Sequence, residues 1–269
     1  MFLGISTYTF PWLTEIKKQN CKPVEVALQL LSVAAAHNII FMQFGDNLPL
    51  HNMQQHELEA IKSFASAHNI KIQAGAKKLS LKNAEQYLSI AAYFQSPFLR
   101  MIIDDEDYHP SAEEVIQIIN GLLPLLKEKN IKLAIENHDR FRAVTLKNIM
   151  EKTSPEFTGV CLDTANSLGA GEGITEVLQI LKPYVINLHI KDVLIKRVSH
   201  RMGFTVEGVA AGEGIIDIPS IIFQLNETGR CETATLELWL NNCDDAEQTI
   251  FTEKQLAEKS IHYLKQFLS

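Results

Sequence analysis

Short apolar runs alternate with helix-like segments along the whole chain, and this alternation restricts the fold more than any other sequence feature. The runs have the length and the β-branched or aromatic content of strands. They lie at residues 2–6, 39–44, 70–75, 98–103, 132–137, 158–163, 185–190 and 234–239. Helical patterns follow at about 23–37, 54–68, 81–94, 111–129, 144–152, 174–182, 218–227 and 252–267. Eight β/α units in 269 residues predict an α/β fold, a single-domain (β/α)8 TIM barrel over residues 1–269.

A doubly wound open sheet is the structural alternative, because it also alternates strands and helices. The chain has no GxGxxG or Walker-type loop that would favour a nucleotide-binding sheet of that kind. It also has no linker-like or low-complexity segment between two halves. The barrel explains the ends of the last four strands better than an open sheet does.

Each of the last four predicted strands ends on or next to a residue that can bind a metal. KLAIEN carries Glu136, GVCLD ends on Asp163, VINLHIKD carries His189 and TATLELW carries Glu237. In a (β/α)8 barrel the carboxyl ends of the strands meet at one face, where such enzymes place their active sites. The pattern predicts that these four side chains converge.

Strand alternation predicts which way these side chains point. The immediate neighbours of the four residues are largely apolar, as Ile135, Leu162 and Leu188 are, and they should face the surrounding helices. The residues two positions earlier are small to medium in size and should lie one layer deeper in the barrel; they are Ala134, Cys161, Asn187 and Thr235. The four candidate ligands should therefore point inward.

Three carboxylates that converge inside a barrel repel one another unless a positive charge lies among them. One divalent metal ion removes this repulsion, and three oxygen ligands with one imidazole suit Mn²⁺, Zn²⁺, Co²⁺ or Mg²⁺. The simpler alternative is that each residue is an isolated, hydrogen-bonded strand end. Repetition on four consecutive strands favours the metal site.

Composition and charge restrict the partners. The chain carries 25 Lys and Arg against 32 Asp and Glu, a net charge of −7, which does not favour binding to nucleic acid. It has neither a run of about 18 apolar residues nor a signal-peptide pattern at its start, and its four cysteines show no framework spacing. A cytoplasmic protein with a small-molecule substrate and no membrane partner is predicted.

Several other residues are candidates for substrate binding. His138 and Lys191 lie two positions after Glu136 and His189, so they share the inward direction. Arg140, in the loop after strand five, and Arg197 and His200, in the long connection at 193–214, can bind a carboxylate or phosphate. For each of them a solvated loop position, or a plain hydrogen bond within the loop, is the alternative.

The motifs AIENHDRF, CLDTANSLG, NLHIKD and LELW resemble those of the xylose isomerase-like TIM-barrel family of sugar isomerases and epimerases. The resemblance covers nearly the whole chain. It implies that Glu136, Asp163, His189 and Glu237 bind one catalytic divalent metal, and that Glu136 and Glu237 are the acid/base pair. Epimerases of the family often have a histidine where this chain has Asn166, so Asn166 joins the substrate-binding candidates.

The resemblance implies an isomerase or epimerase that acts on a small keto-sugar, a sugar phosphate or a sugar acid through a metal-stabilised enediolate. A related branch, the 3-oxo-isoapionate decarboxylases, implies instead a decarboxylase or dehydratase of an oxo-sugar acid. A non-catalytic carbohydrate-binding barrel is the second alternative. Barrels of this family are often dimers or tetramers, which implies a possible homo-oligomer.

Overall fold

Eight parallel strands close into a barrel in the computed structural model, which describes residues 1–241 and 245–269. Around the barrel the strands run in the order β1-β10-β7-β6-β5-β4-β3-β2. Their bounds are β1 Phe2–Ser6, β2 Phe41–Phe44, β3 Lys71–Ala76, β4 Phe98–Met101, β5 Lys132–Glu136, β6 Thr158–Asp163, β7 Val185–Ile190 and β10 Thr233–Leu236. The predicted (β/α)8 barrel is confirmed.

The surrounding helices in the described residues bury one apolar face each against the strands. They are α1 Pro11–Lys18, α2 Pro23–Ala36, α3 Gln55–Ala67, α4 Leu81–Tyr93, α5 Ala112–Lys129, α6 Ala143–Glu151, α7 Ile174–Leu181, α8 Ile218–Asn226 and α9 Ala246–Leu264. None of them is both long and apolar enough to cross a membrane. The helix α1 was not predicted, because eight residues with few apolar positions give a weak periodic signal; Pro11 favours its start as a first-turn residue.

The barrel interior contains a polar layer directly beneath the candidate ligands. The predicted inward residues Cys161 and Asn187 are fully buried and contact each other, with 3.1 Å from Sγ to Oδ1. Gln43 reaches Asn187 across the barrel at 3.3 Å and Gln73 at 3.2 Å. The outward neighbours, such as Leu162 and Leu188, belong to the main hydrophobic core. The predicted strand parity is therefore confirmed, and it directs the ligands into the barrel.

The connection at 193–214 was predicted as a loop, and that prediction is wrong. It contains an antiparallel hairpin of β8, Asp192–Arg197, and β9, Phe204–Val209. The β-branched and aromatic residues of both segments favour extended strands that can pair. Asp192 anchors the hairpin base, since its carboxylate accepts hydrogen bonds from four backbone N–H groups, those of Val193, Gly212, Gly214 and Ile216.

Candidate metal centre

The four predicted ligands come together at the carboxyl end of the barrel. Glu136 ends β5, Asp163 ends β6, His189 lies in β7 and Glu237 directly follows β10. The Nδ1 atom of His189 lies 3.4 Å from Oε2 of Glu136 and 3.3 Å from Oε1 of Glu237. Ligand atoms of Asp163, His189 and Glu237 lie within 4.8 Å of one another. All four side chains are buried, so the set can surround one small cation.

The orientation of His189 leaves one of its ring nitrogens available as a metal ligand. Its Nε2 lies 2.7 Å from Oε1 of Gln43, whose amide nitrogen donates to Gln73 and Asn187. The Gln43 oxygen is therefore the acceptor, and Nε2 of His189 is the donor. The Nδ1 atom is buried and has no hydrogen-bond partner among the described residues. A metal-bound histidine in proteins commonly has this arrangement, with its second nitrogen donating to a fixed acceptor.

Two buried cationic side chains lie among the carboxylates. Nε of Arg100, on β4, contacts Glu136, and its guanidinium lies 3.2 Å from Oδ1 of Asp46. Nζ of Lys191 lies 2.7 Å from Oδ2 of Asp163 and 3.3 Å from Oε2 of Glu237.

The side chains around the centre carry an excess of negative charge that a divalent cation would balance. Within the described residues, the four carboxylates of this network exceed its two cations by two negative charges when His189 is neutral. One divalent cation balances this difference. The donor set and the free Nδ1 of His189 therefore fit such an ion.

The carboxylates shift the pKa values of both cations. Burial by itself lowers the pKa of the Arg100 guanidinium, but Glu136 and Asp46 outweigh burial and raise it well above its ordinary value. Burial also lowers the pKa of the Lys191 ammonium, and Asp163 and Glu237 again reverse the direction. Both side chains therefore stay charged in the folded protein.

Hydrogen bonds hold the ligand carboxylates in place. Nδ2 of Asn166 donates to Oε1 of Glu136 at 2.9 Å, and the Ser6 hydroxyl donates to Oε1 of Glu237 at 3.1 Å. Oδ1 of Asp163 accepts the backbone N–H groups of Ala165 and Asn166, each at 2.8 Å. These contacts leave Oδ2 of Asp163 as the oxygen directed at the centre.

The buried thiol of Cys161 lies close to the same centre. Burial raises its pKa well above the ordinary value, and the charge of Glu136 raises it further. The group therefore remains a thiol in this environment, and a thiol is a poor nucleophile.

A pocket of about 440 Å³ opens directly above the centre. Glu136, Glu237, Arg100, Lys191 and Asn166 are at its inner end, so a bound molecule would contact the ligands. Its walls include several side chains beyond the strand ends, namely Tyr8, Pro11, Trp12, Ile102, His138, Leu238, Trp239 and Leu240. The volume suits a small polar metabolite.

The structure brings some predicted substrate contacts to this pocket and leaves others outside its lining. Asn166, Lys191 and the partly exposed His138 line it. Arg140 pairs with Asp104 at 2.6 Å and borders a neighbouring pocket of about 460 Å³. The remaining two candidates, Arg197 and His200, are exposed on the hairpin, where the Arg197 guanidinium stacks on Phe204.

Sequence reasoning missed Arg100, Gln43 and Asp46. A signal exists for Arg100, because it is a lone cation within the apolar run FLRMII. A buried strand seldom holds a charge without a partner. Nothing local distinguishes Gln43 or Asp46, because their partners lie 146 and 54 residues away in the chain.

Fold and site together define a (β/α)8 barrel whose last four strand ends form a candidate metal centre. The sequence model of the Xylose isomerase-like TIM barrel family matches residues 31–267. The chain therefore belongs to this family.

Several individual proteins of known sequence or structure are similar to this chain over most of their length. The 3-oxo-isoapionate decarboxylase of Pectobacterium atrosepticum is 26% identical over 264 residues, which cover 98% of this chain and 95% of that protein. D-psicose 3-epimerase from Clostridium cellulolyticum H10, solved with D-tagatose, superimposes with a TM-score of 0.72 at 14% identity, covering 98% of this chain and 97% of that one. A xylose isomerase-like barrel from Mycobacterium smegmatis, in complex with magnesium, has a TM-score of 0.69 at 13% identity, covering 90% of each chain. The two structures share the fold.

Proposed function

We propose that this protein is a divalent-metal-dependent enzyme of the isomerase or epimerase type, acting on a small keto-sugar or sugar acid through an enediolate. One observation carries the proposal. The buried Nδ1 of His189 faces Glu136 and Glu237 without a hydrogen-bond partner in the described residues, at the inner end of a pocket. A ring-nitrogen lone pair that faces two carboxylates is stabilised when a cation lies between them. The magnesium complex of the Mycobacterium smegmatis barrel supports a divalent ion.

The roles of the residues follow from their positions. Glu136, Asp163, His189 and Glu237 would hold the ion, which when bound supplies the Lewis acidity that stabilises an enediolate. Glu136 and Glu237 come from β5 and β10 and both line the pocket. Their carboxylates can remove a proton from one carbon or face of the substrate and return one at another. The barrel excludes bulk water around this step, because these side chains are buried.

Decarboxylation of an oxo-sugar acid is the second candidate, and the similarity to 3-oxo-isoapionate decarboxylase along nearly the whole chain favours it. Loss of carbon dioxide would leave the same kind of enolate, and one glutamate or a water molecule would supply the final proton. This route needs one proton donor rather than two bases. The hydrogen bonds of Glu136 to both Arg100 and Asn166 suit a glutamate that does not transfer protons.

The first test is the metal content of gently purified wild type and of Glu237→Ala, measured by mass spectrometry. We expect close to one equivalent of Mn, Zn, Co or Mg in the wild type and a large loss in the variant. Absence of metal from both proteins, even after soaking with excess cations, would contradict the proposal and favour a non-catalytic carbohydrate-binding barrel.

The second test separates the two reactions. Metal-loaded protein is incubated with keto-sugars and oxo-sugar acids in D₂O, and products are followed by NMR. Isomerisation or epimerisation predicts that Glu136→Gln and Glu237→Gln each lose about 10²-fold or more in turnover per bound metal ion, with the metal content measured in every sample. Decarboxylation predicts carbon dioxide release and a much smaller loss for Glu136→Gln. Unchanged turnover in both variants would contradict a role of either glutamate in proton transfer.

A further inference from the structure

The ammonium group of Lys191 contacts carboxylate oxygens of two proposed metal ligands. Its Nζ contacts Oδ2 of Asp163 at 2.7 Å, Oε2 of Glu237 at 3.3 Å and Oδ1 of Asn166 at 3.2 Å. The residue is only 7% exposed. Two of its three partners are proposed metal ligands, so Lys191 serves here as the counter-charge of the centre.

Lys191 and a divalent cation compete for the same oxygen. Oδ1 of Asp163 already accepts two backbone N–H groups, so Oδ2 is the oxygen left for a cation, and Lys191 holds it. An ammonium beside a divalent ion in this buried site is strongly repelled. If Asp163 and Glu237 bound a metal ion, the Lys191 ammonium would have to leave them.

The pocket is the space open to the displaced ammonium. Lys191 lines it, and its Nζ already lies 5.6 Å from the ring centroid of Trp239 in the pocket wall. A lysine has a flexible stem, and an aromatic face is a favourable neighbour for its charge. The backbone of Trp239 packs directly against Gly208, where a Cβ would lie 1.7 Å from the Trp239 carbonyl oxygen.

We propose that Lys191 selects anionic substrates: it holds the ligand carboxylates together before the metal binds and, once displaced, binds the carboxylate or phosphate of the substrate in the pocket. This inference rests on the proposed metal-dependent function and adds a substrate class to it. Metal and anion should then bind with positive coupling, since the first makes the charge available to the second.

Reductive methylation of lysines, mapped by peptide mass spectrometry, tests the displacement directly. Metal-stripped protein should show little modification at Lys191, and protein saturated with Mg²⁺ should show a severalfold increase. Lys196 is the internal control, because it lies exposed on the hairpin with Glu207 and should be modified equally in both states. Acetate or sulfate, added to the metal-loaded protein, should protect Lys191 again. Protection by acetate indicates a carboxylate substrate, and protection by sulfate indicates a phosphate-like one.

The variant Lys191→Met provides an independent measurement. Removal of the competing ammonium should make Mn²⁺ binding severalfold tighter in calorimetry, and should abolish any effect of acetate or sulfate on that affinity. Lys196→Met is the matched control and should bind Mn²⁺ like the wild type.

Metal binding is measured in the same samples, so two failures are distinguishable. Protein that binds no metal overturns the proposed function and this inference with it. Protein that binds Mg²⁺ without a rise in Lys191 modification, or a Lys191→Met variant with weaker Mn²⁺ binding, overturns this inference alone. Metal-loaded protein in which neither anion protects Lys191 overturns the anion selection.

Discussion

At the scale of single residues, the centre depends on polar side chains that contact the proposed ligands and are not themselves proposed as ligands. Gln43 accepts a hydrogen bond from Nε2 of His189, and the buried Nδ1 of that ring faces the carboxylates. Arg100 and Lys191 supply two positive charges within the same cluster. The ligand set is therefore organised by residues on β2, on β4 and directly after β7, in addition to the strands that carry it.

Gln43→Met tests the orientation of His189. Loss of the acceptor leaves the imidazole free to rotate or to change tautomer, so we expect metal affinity to fall by about 10–100-fold. Calorimetric titration with Mn²⁺ measures the effect. Gln73→Met is the comparison, because it removes one of the two acceptors of the Gln43 amide and leaves Asn187, so metal affinity should fall less. Equal affinities for the two variants would contradict the role assigned to Gln43.

At the scale of elements, helix α9 fixes the short helix α1 that borders the pocket. The carboxylate of Glu253, on α9, accepts the backbone N–H of Trp12 at 2.7 Å and of Leu13 at 2.9 Å. Trp12 also donates from its indole to the carbonyl of Leu240, and both residues line the pocket. One buried carboxylate thus caps a helix and holds one wall of the pocket.

The same carboxylate predicts a pH dependence of stability. Burial raises the pKa of Glu253 to about 7 from 4.5, although its two backbone hydrogen bonds lower it. Since the folded-state pKa is the higher one, the stability contribution is full below the ordinary pKa and is lost as the pH rises through about 7. The free energy of unfolding of the wild type, relative to that of Glu253→Gln, should therefore fall by up to about 3 kcal/mol between pH ~5 and pH ~8.

Urea unfolding, followed by circular dichroism over this pH range, measures the difference. Glu258→Gln, on the exposed side of α9, is the matched control and should parallel the wild type. The assignment would be contradicted if the free energy of unfolding of the wild type rose with pH relative to that of Glu253→Gln.

At the scale of the whole molecule, the centre joins segments that are distant in the sequence and adjacent in the barrel. Its proposed ligands lie on or beside β5, β6, β7 and β10, four consecutive strands around the closed sheet. Glu136 and Glu237 are separated by about 100 residues of sequence. A cation bound to all of them would crosslink these strands in the folded state only.

Metal should therefore raise the thermal stability of the protein. A ligand at about 100 times its Kd adds roughly 2.7 kcal/mol to the free energy of unfolding. For a chain of this size that corresponds to a rise of roughly 5–10 °C in Tm. Scanning calorimetry of stripped and metal-loaded protein measures it, and Glu237→Ala should show little shift. A wild-type Tm that does not respond to Mn²⁺, Zn²⁺, Co²⁺ or Mg²⁺ would contradict the metal centre.

Local patterns in the sequence determined the barrel and the direction of its four candidate ligands. Strand periodicity depends only on neighbouring residues, and so it indicated that Glu136, Asp163, His189 and Glu237 point inward. The hairpin was missed because, among the described residues, β8 and β9 pair with each other and not with a barrel strand, so they lie outside the repeated strand–helix pattern. The helix α1 was missed because it is short and depends on Glu253, which lies about 240 residues away in the chain.

The tertiary structure alone decided how the charges of the site are balanced and which nitrogen of His189 is free. Arg100, Gln43 and Lys191 acquire their roles only when β4, β2 and β7 meet at the barrel interior. Coulomb energy and hydrogen-bond geometry depend on distance in space, and a linear sequence does not contain those distances. Thus the sequence determined which residues point into the barrel, and the closed barrel decided what they contact there.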